Sequence, residues 1–341
     1  MFHSDANEGA WRRGRAGCSA VPSAAAYSDP HQNLRRYTDL VYDVIIAGGG
    51  PAGLSAAEVL GRCRRRVLLC DTGRPRNAAS HALHGYLTRD GIPPSEFLRL
   101  ARAEVTRYGV ECLETEIRNT RCVDSGFEVT LNDGRTVGSR KLLIATGVVD
   151  RLPKLKGVEE FYGRSVFHCP YCDGWEMREQ PLAVYGRGAR GYGLALSLKT
   201  WSSDVVLCTD GGGRLNDVER RALAAYSVPV RQEKIDRLVG SGGILEKIVF
   251  RSGIELRRRA IFFSTGQDQH SQLAQTLGCE FTSKGTVRTN RREGTNVPGL
   301  YVAGDASRDV QFVIVAAAEG AKAAVAINKA LQEEDCAAIL R

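Results

Sequence analysis

The hydrophobic positions of this chain fall into runs whose period changes along its length. Asp43-Val44-Ile45-Ile46-Ala47 is apolar through its centre, the pattern of a short strand buried on both faces. Glycines follow at 48, 49, 50 and 53, and Leu54-Ser55-Ala56-Ala57-Glu58-Val59-Leu60 then takes a helical spacing. Arg66-Val67-Leu68-Leu69-Cys70-Asp71 returns to the strand pattern. Apolar residues at Phe97, Leu98, Leu100, Ala101, Val105 and Tyr108 predict a helix over 94–108. Strand-like runs near 111–117, 121–131 and 141–146 come next. The same succession then recurs, with a strand at 181–186, a glycine turn to 191, a helix over 194–198 and a strand at 204–210. Residues 299–305 read as a strand ending in an acidic turn, and an Ala/Val-rich helix is predicted from about 311 to 332. A β-turn-α-β unit met twice predicts an α/β chain with two Rossmann-like, three-layer dinucleotide-binding domains.

The first glycine turn carries specific chemistry. Gly48-x-Gly50-x-x-Gly53, with Pro51 and Ala52 between, follows a strand and opens a helix. Its glycines permit a tight turn, close approach of backbone to a pyrophosphate, and close helix–sheet packing. Helix-terminal amides would hold the phosphates. Asp71 ends the next strand, where a carboxylate can accept bonds from a ribose diol.

Composition narrows the class. The 341 residues suffice for two ordinary domains, and 43% hydrophobic with 25% charged residues is a soluble globular balance. No apolar run approaches the roughly 18 residues of a membrane span. The net charge is +8, but Arg64-Arg65-Arg66, Arg257-Arg258-Arg259 and Arg291-Arg292 abut strands or turns without interleaved aromatics. A solvated surface is therefore expected rather than a nucleic-acid groove. Ten cysteines, mostly inside apolar segments, fit free thiols in a reducing compartment such as the cytoplasm. Residues 1–39 have no periodic apolar pattern and read as a disordered extension, or as a start placed too far upstream. Trp11-Arg12-Arg13 and Ala16-Gly17-Cys18 lack the apolar stretch of an export signal.

Cys169-Pro170-Tyr171-Cys172 is the only close cysteine pair, and it has three readings. Zinc would want a second pair or histidines at ligand spacing, and adjacent His168 suits a tetrahedral site poorly, so no metal is expected. A glutaredoxin-like tetrad would match four residues only. A redox-active disulfide beside a nucleotide cofactor is the third reading. Pro170 suits the first turn of a helix, whose terminal amides would lower a cysteine pKa.

With these motifs the chain, from 42 to about 332, resembles the low-molecular-weight thioredoxin reductases of the pyridine nucleotide-disulfide oxidoreductases. The resemblance rests on the first glycine motif, Ala145-Thr146-Gly147, Gly304-Asp305, Gln311 and Cys169-x-x-Cys172-Asp173-Gly174. It implies a second domain inserted into the first: an FAD domain of 40–152 and 276–341, and an NAD(P)-binding-like domain of 153–275 carrying the cysteines. It implies FAD at Gly48, Gly50, Pro51, Ala52, Gly53, Asp71, Thr146, Gly147 and Gly304, with Asp305 at the ribitol and Gln311 near the flavin ring. It further implies that Cys172 faces the flavin as the charge-transfer thiolate, that Cys169 is the interchange thiol, and that Asp173 is the acid/base. A homodimer and a thioredoxin-like protein or small disulfide or dithiol as partner follow from the same likeness.

The second glycine turn departs from the pattern. Gly186, Gly188 and Gly191 keep the spacing, but Arg190 and Tyr192 stand inside and after it. Thr209-Asp210-Gly211 replaces the arginine-bearing sequence that grips the NADPH 2′-phosphate. Asp210 would repel that phosphate and accept a bond from a free 2′-hydroxyl, so NAD(P)H use is possible and NADPH specificity is not expected. Similar sequences include dithiol oxidases that pass electrons to oxygen, and others take electrons from a ferredoxin. A flavin redox sensor without turnover is a reading of another class. His81, His84, Cys279 and Cys336 are weaker candidates, with structural roles expected first.

Overall fold

The computed structural model describes residues 42–308 and 310–340, so the readings of residues 1–39 lie outside it. Tyr42–Ala47 is the central strand of the first sheet. Parallel neighbours flank both edges, Val67–Asp71 on one side and Thr136–Ile144 on the other, and layers on both faces bury Val44 and Ile46 on one side and Ile45 and Ala47 on the other. The order runs Glu111–Glu114, Val67–Asp71, Tyr42–Ala47, Thr136–Ile144, Gly126–Leu131, Ile117–Val123, and Leu300–Val302 pairs in parallel with Thr136–Ile144. The helices Pro51–Arg62 and Val313–Ile339 pack on one face, through Leu54, Ala57, Leu60, Ala323, Ile327 and Leu331. They approach so closely that a Cβ on Gly320 would lie 1.9 Å from the Ala52 carbonyl oxygen. On the other face, Ile117, Phe127, Leu131, Leu273 and Val287 complete a three-layer arrangement.

The second sheet is parallel throughout, in the order Val230–Arg231, Val205–Cys208, Leu182–Tyr185, Ala260–Phe263, Val166–Phe167. Helix Gly188–Leu198 packs on one face. An antiparallel layer of Ile235–Ser241, Ile244–Phe250 and Glu255–Arg257 covers the other through Leu238, Leu245, Ile248 and Phe250. The chain enters this unit after Val148–Asp150 and leaves it through Gln267–Gln269, and these two short strands pair antiparallel. Entry and exit thus lie side by side, the geometry of a domain inserted into another. The fold is the expected α/β pair of Rossmann-like units.

Local differences have local causes. The single run read at 121–131 is two strands, because Asp124-Ser125 turns the chain and Gly126 takes φ 143°. The last helix continues to Ile339, past the expected 332. Its added turns are held by Glu334 and Asp335, which pair with Arg65, Arg140 and Lys141. The antiparallel layer at 235–257 went unread, although the Gly242-Gly243 turn between alternating apolar runs signals it.

Candidate active site

The first glycine turn is shaped for close approach. Gly48 has φ 107°, and a Cβ there would lie 2.4 Å from the Ala145 carbonyl oxygen. A Cβ on Gly53 would fall 1.9 Å from the Gly48 carbonyl oxygen, so only glycine lets the helix start this near the strand. A Cβ on Gly50 would meet nothing within 4 Å, because this glycine faces open space. That space is a cavity of about 510 Å³. It runs from the Gly48–Ala52 turn and Asp71, past Thr146, Gly147, Gly304, Asp305 and Gln311, to Cys172 and Asp173. Thr146 Oγ1 is buried in its wall with no hydrogen-bond partner. Asp71 is engaged by the Arg102 guanidinium, a partner the sequence did not suggest.

An ion network that sequence reasoning missed forms part of the wall. Arg76 is largely buried and donates through Nε and Nη2 to Asp150, at 2.8 and 2.5 Å. Its Nη1 donates to Asp305 Oδ2 at 2.9 Å and to Gln311 Oε1 at 2.6 Å. Asp150 also accepts from Tyr162 Oη at 3.0 Å and faces His168 Nδ1 at 3.6 Å. Burial would raise Asp150, but the Arg76 bonds, the nearby His168 and the Tyr162 hydroxyl bring it below the usual carboxylate range. Burial instead lowers His168 to about 4, which leaves it neutral near pH 7.

Cys169 and Cys172 form a disulfide with their Cα atoms 5.3 Å apart. Cys169 caps a helix of one turn, Pro170–Asp173, with Pro170 in its first turn. So short a helix has little macrodipole, and the expected lowering of a thiol pKa by helix amides loses most of its basis. Cys172, not Cys169, lines the cavity. Tyr171 between them is 69% exposed and meets Trp201 and Phe312 edge-on, with ring centroids 5.5 and 6.4 Å away. Burial pushes the Asp173 carboxyl up to about 7, with Glu176 adding to the rise and His84 opposing it. His84 lines the cavity, whereas His81 is outside its lining and exposed. Among the described residues no cluster of three or more His, Cys, Asp or Glu is placed to hold a metal.

The second turn keeps its glycine geometry. Gly188 has φ 52°, and a Cβ on Gly186 would lie 2.7 Å from the Gly191 Cα. Asp210, also at positive φ (50°), is not a free carboxylate. Its Oδ1 accepts from the Ile235 amide at 2.9 Å. Its Oδ2 accepts from Tyr185 Oη at 3.1 Å and Arg187 Nη2 at 3.3 Å. Arg187 also donates to the Thr209 and Asp210 carbonyls, each at 3.2 Å, and so lies across the loop. Tyr192 is partly buried against the core cluster that includes Leu182, Val184 and Leu198.

The family profile described as pyridine nucleotide-disulphide oxidoreductase matches residues 42–320, most of the chain and both sheets. The chain belongs to that family. The pyridine nucleotide-disulphide oxidoreductase is 32% identical to thioredoxin reductase tcpT of Claviceps purpurea, over 79% of this chain and 87% of that one. It is 28% identical to the thioredoxin reductase of Aquifex aeolicus, over 88% and 96%. The crystal structure of HlmI superposes with a TM-score of 0.85 at 38% identity, covering 88% of this chain and 95% of that one. It is an FAD-dependent disulfide oxidoreductase of the thioredoxin reductase-like kind.

The cavity fits the cofactor of such an enzyme. The open space at Gly50 would accept a pyrophosphate, and the orphaned Thr146 hydroxyl offers a buried polar partner. Arg76 and Asp150 escaped sequence reading because the contacts of Arg76 with Asp150 and Asp305 span 74 and 229 residues of chain and follow no local pattern.

Proposed function

We propose that this enzyme passes electron pairs between FAD in the cavity and a disulfide substrate by way of Cys169 and Cys172. The observation that carries the reading is the disulfide at the end of a cavity that begins at the glycine turn, with Cys172 and Asp173 in the lining. Gly48, Gly50, Pro51, Ala52 and Gly53 would hold the pyrophosphate, Asp71 the ribose, and Thr146, Gly147, Gly304, Asp305 and Gln311 the remainder. FAD supplies the two-electron carrier. Opening the Cys169–Cys172 bond takes two electrons and two protons, and Asp173 delivers a proton to the Cys169 sulfur as it leaves. Asp173 takes that proton back as the Cys169 sulfur attacks the substrate disulfide and passes it to the leaving substrate sulfur. Cys172 then displaces the mixed disulfide, its proton going to the second substrate sulfur, and the substrate departs as a dithiol.

The relatives named as thioredoxin reductases make a thioredoxin-like protein or a small-molecule disulfide the proposed partner, and a homodimer the proposed assembly. Seven free cysteines among the described residues support a reducing compartment, taken as the cytoplasm. The proposed FAD domain is 40–152 and 276–341, and the proposed NAD(P)-binding-like domain is 153–275. Gly186, Gly188 and Gly191 would receive the donor NAD(P)H, with NADH favoured by the absence of an arginine pair after Cys208.

The engagement of Asp210 by three donors supports a second reading, a dithiol oxidase whose electrons enter at the cysteines and leave to oxygen. Anaerobic addition of NADH or NADPH to the FAD-loaded protein separates the two. Bleaching of the flavin by NADH is the expected result. Failure with both donors, together with bleaching by dithiols and peroxide formation in air, would establish the oxidase direction instead.

A further inference from the structure

His84 sits in the loop between the first sheet and helix Pro94–Thr106, and each of its ring nitrogens faces a carboxylate. Nδ1 is 3.5 Å from Asp90 Oδ2, and Nε2 is 3.5 Å from Glu176 Oε1. Asp90 is fixed by the Gly85 amide, which donates to its Oδ1 at 2.8 Å. Glu176 lies three residues beyond Asp173, on the segment that follows the disulfide. Side-chain exposure rises outward from His84 at 21% through Glu176 at 35% to Asp90 at 67%. His84, Asp173 and Cys172 line one cavity. A partly buried acid beside the disulfide is thus followed by an imidazole and then by two carboxylates that reach water.

We propose that His84 is a positioning residue that relays protons between Asp173 and solvent, with Glu176 and Asp90 as its outer partners. The proposal rests on the electron path given above. Each opening of the Cys169–Cys172 bond consumes two protons, and Asp173 can give only one before it must be recharged. His84 returns that proton and recovers its own through Glu176 or Asp90, and the sequence runs in reverse when the dithiol is oxidised. An imidazole suits the task because it accepts at one nitrogen while it donates from the other. The carboxylates facing the ring are Asp90 from its own loop and Glu176 from the dithiol segment, and Asp173 in the same cavity lining feels the ring's field.

His84→Gln and Glu176→Gln, made separately in the full chain, test the relay by two readouts. In FAD-loaded protein, the step that moves electrons from reduced flavin to the disulfide is followed by stopped-flow absorbance across pH. His84→Gln is expected to slow it about 10-fold above about pH 7, with partial rescue by free imidazole, and Glu176→Gln to slow it less. The second readout needs no flavin: iodoacetamide capture of Cys169 in the reduced protein, its pH profile read by mass spectrometry. The inflection that reports Asp173 is expected to move in both variants. Wild-type rates and profiles in both variants would overturn the relay, as would a loss uniform across pH that imidazole does not restore. If the wild-type protein itself passes no electrons from flavin to disulfide, the functional reading fails, and the alkylation profile still decides the relay on its own.

Discussion

Asp173 joins the chemistry of the site to its stability. Its carboxyl is pushed up to about 7, chiefly by burial, so it holds a proton in the fold at pH values where the unfolded chain has lost one. The folded state binds more protons between the ordinary carboxylate range and about 7, and stability therefore falls as pH rises through that window. Asp173→Asn should remove this decline, seen as a flatter dependence of the urea midpoint on pH. The same variant should slow disulfide opening by about 100-fold and erase the inflection near 7 in its pH profile. His168 carries the opposite sign. Its value near 4 means that stability is lost as pH falls below the ordinary histidine range, and His168→Phe should lessen that acid sensitivity without moving the inflection of Asp173. The Cys169–Cys172 pair and the adjacent Asp173 were legible as a group in the sequence because they are contiguous. Asp173's altered acidity was not, since it depends on burial and on the fields of Glu176 and His84.

At the scale of elements, the first glycine turn separates folding from cofactor binding. Gly53→Ala would drive a methyl into the Gly48 carbonyl oxygen, 1.9 Å away, and should destabilise the protein by about 1–3 kcal/mol in urea unfolding. Gly50→Ala would place its methyl in open space. That variant should unfold like the parent without cofactor yet retain FAD about 10-fold more weakly, as measured by flavin release on dilution. Equal loss of stability in both variants would contradict this reading of the turn. These glycines were legible because strand, turn and helix lie within one short stretch, from Tyr42 to Arg62. The 235–257 layer has equally local turn chemistry, but its strands are half-exposed and broken by polar residues, so they lack the unbroken apolar run of the buried parallel strands.

At the scale of the whole molecule, Arg76 links three parts of the chain: the loop after Val67–Asp71, the Val148–Asp150 strand at the entry to the second sheet, and the turn at Asp305. Removing its charge by Arg76→Leu would leave Asp150 and Asp305 facing each other in a largely buried setting. A loss of about 3–5 kcal/mol is expected on that ground, and a change below about 1 kcal/mol would show the network to be idle. Sequence reading gave the two units and the insertion. It did not show that Arg76 ties Asp150 to Asp305, because those contacts join residues far apart in the chain.

The central claim is that one cavity couples FAD to the Cys169–Cys172 disulfide. The most direct measurement is an anaerobic reductive titration of the FAD-loaded protein, followed by flavin absorbance and thiol counting, beside a variant with Cys169 and Cys172 both replaced by serine. The account predicts that the native protein takes up one two-electron equivalent more than the variant and gains two thiols as it does so. Equal uptake by the two proteins, with no thiols gained, would contradict it.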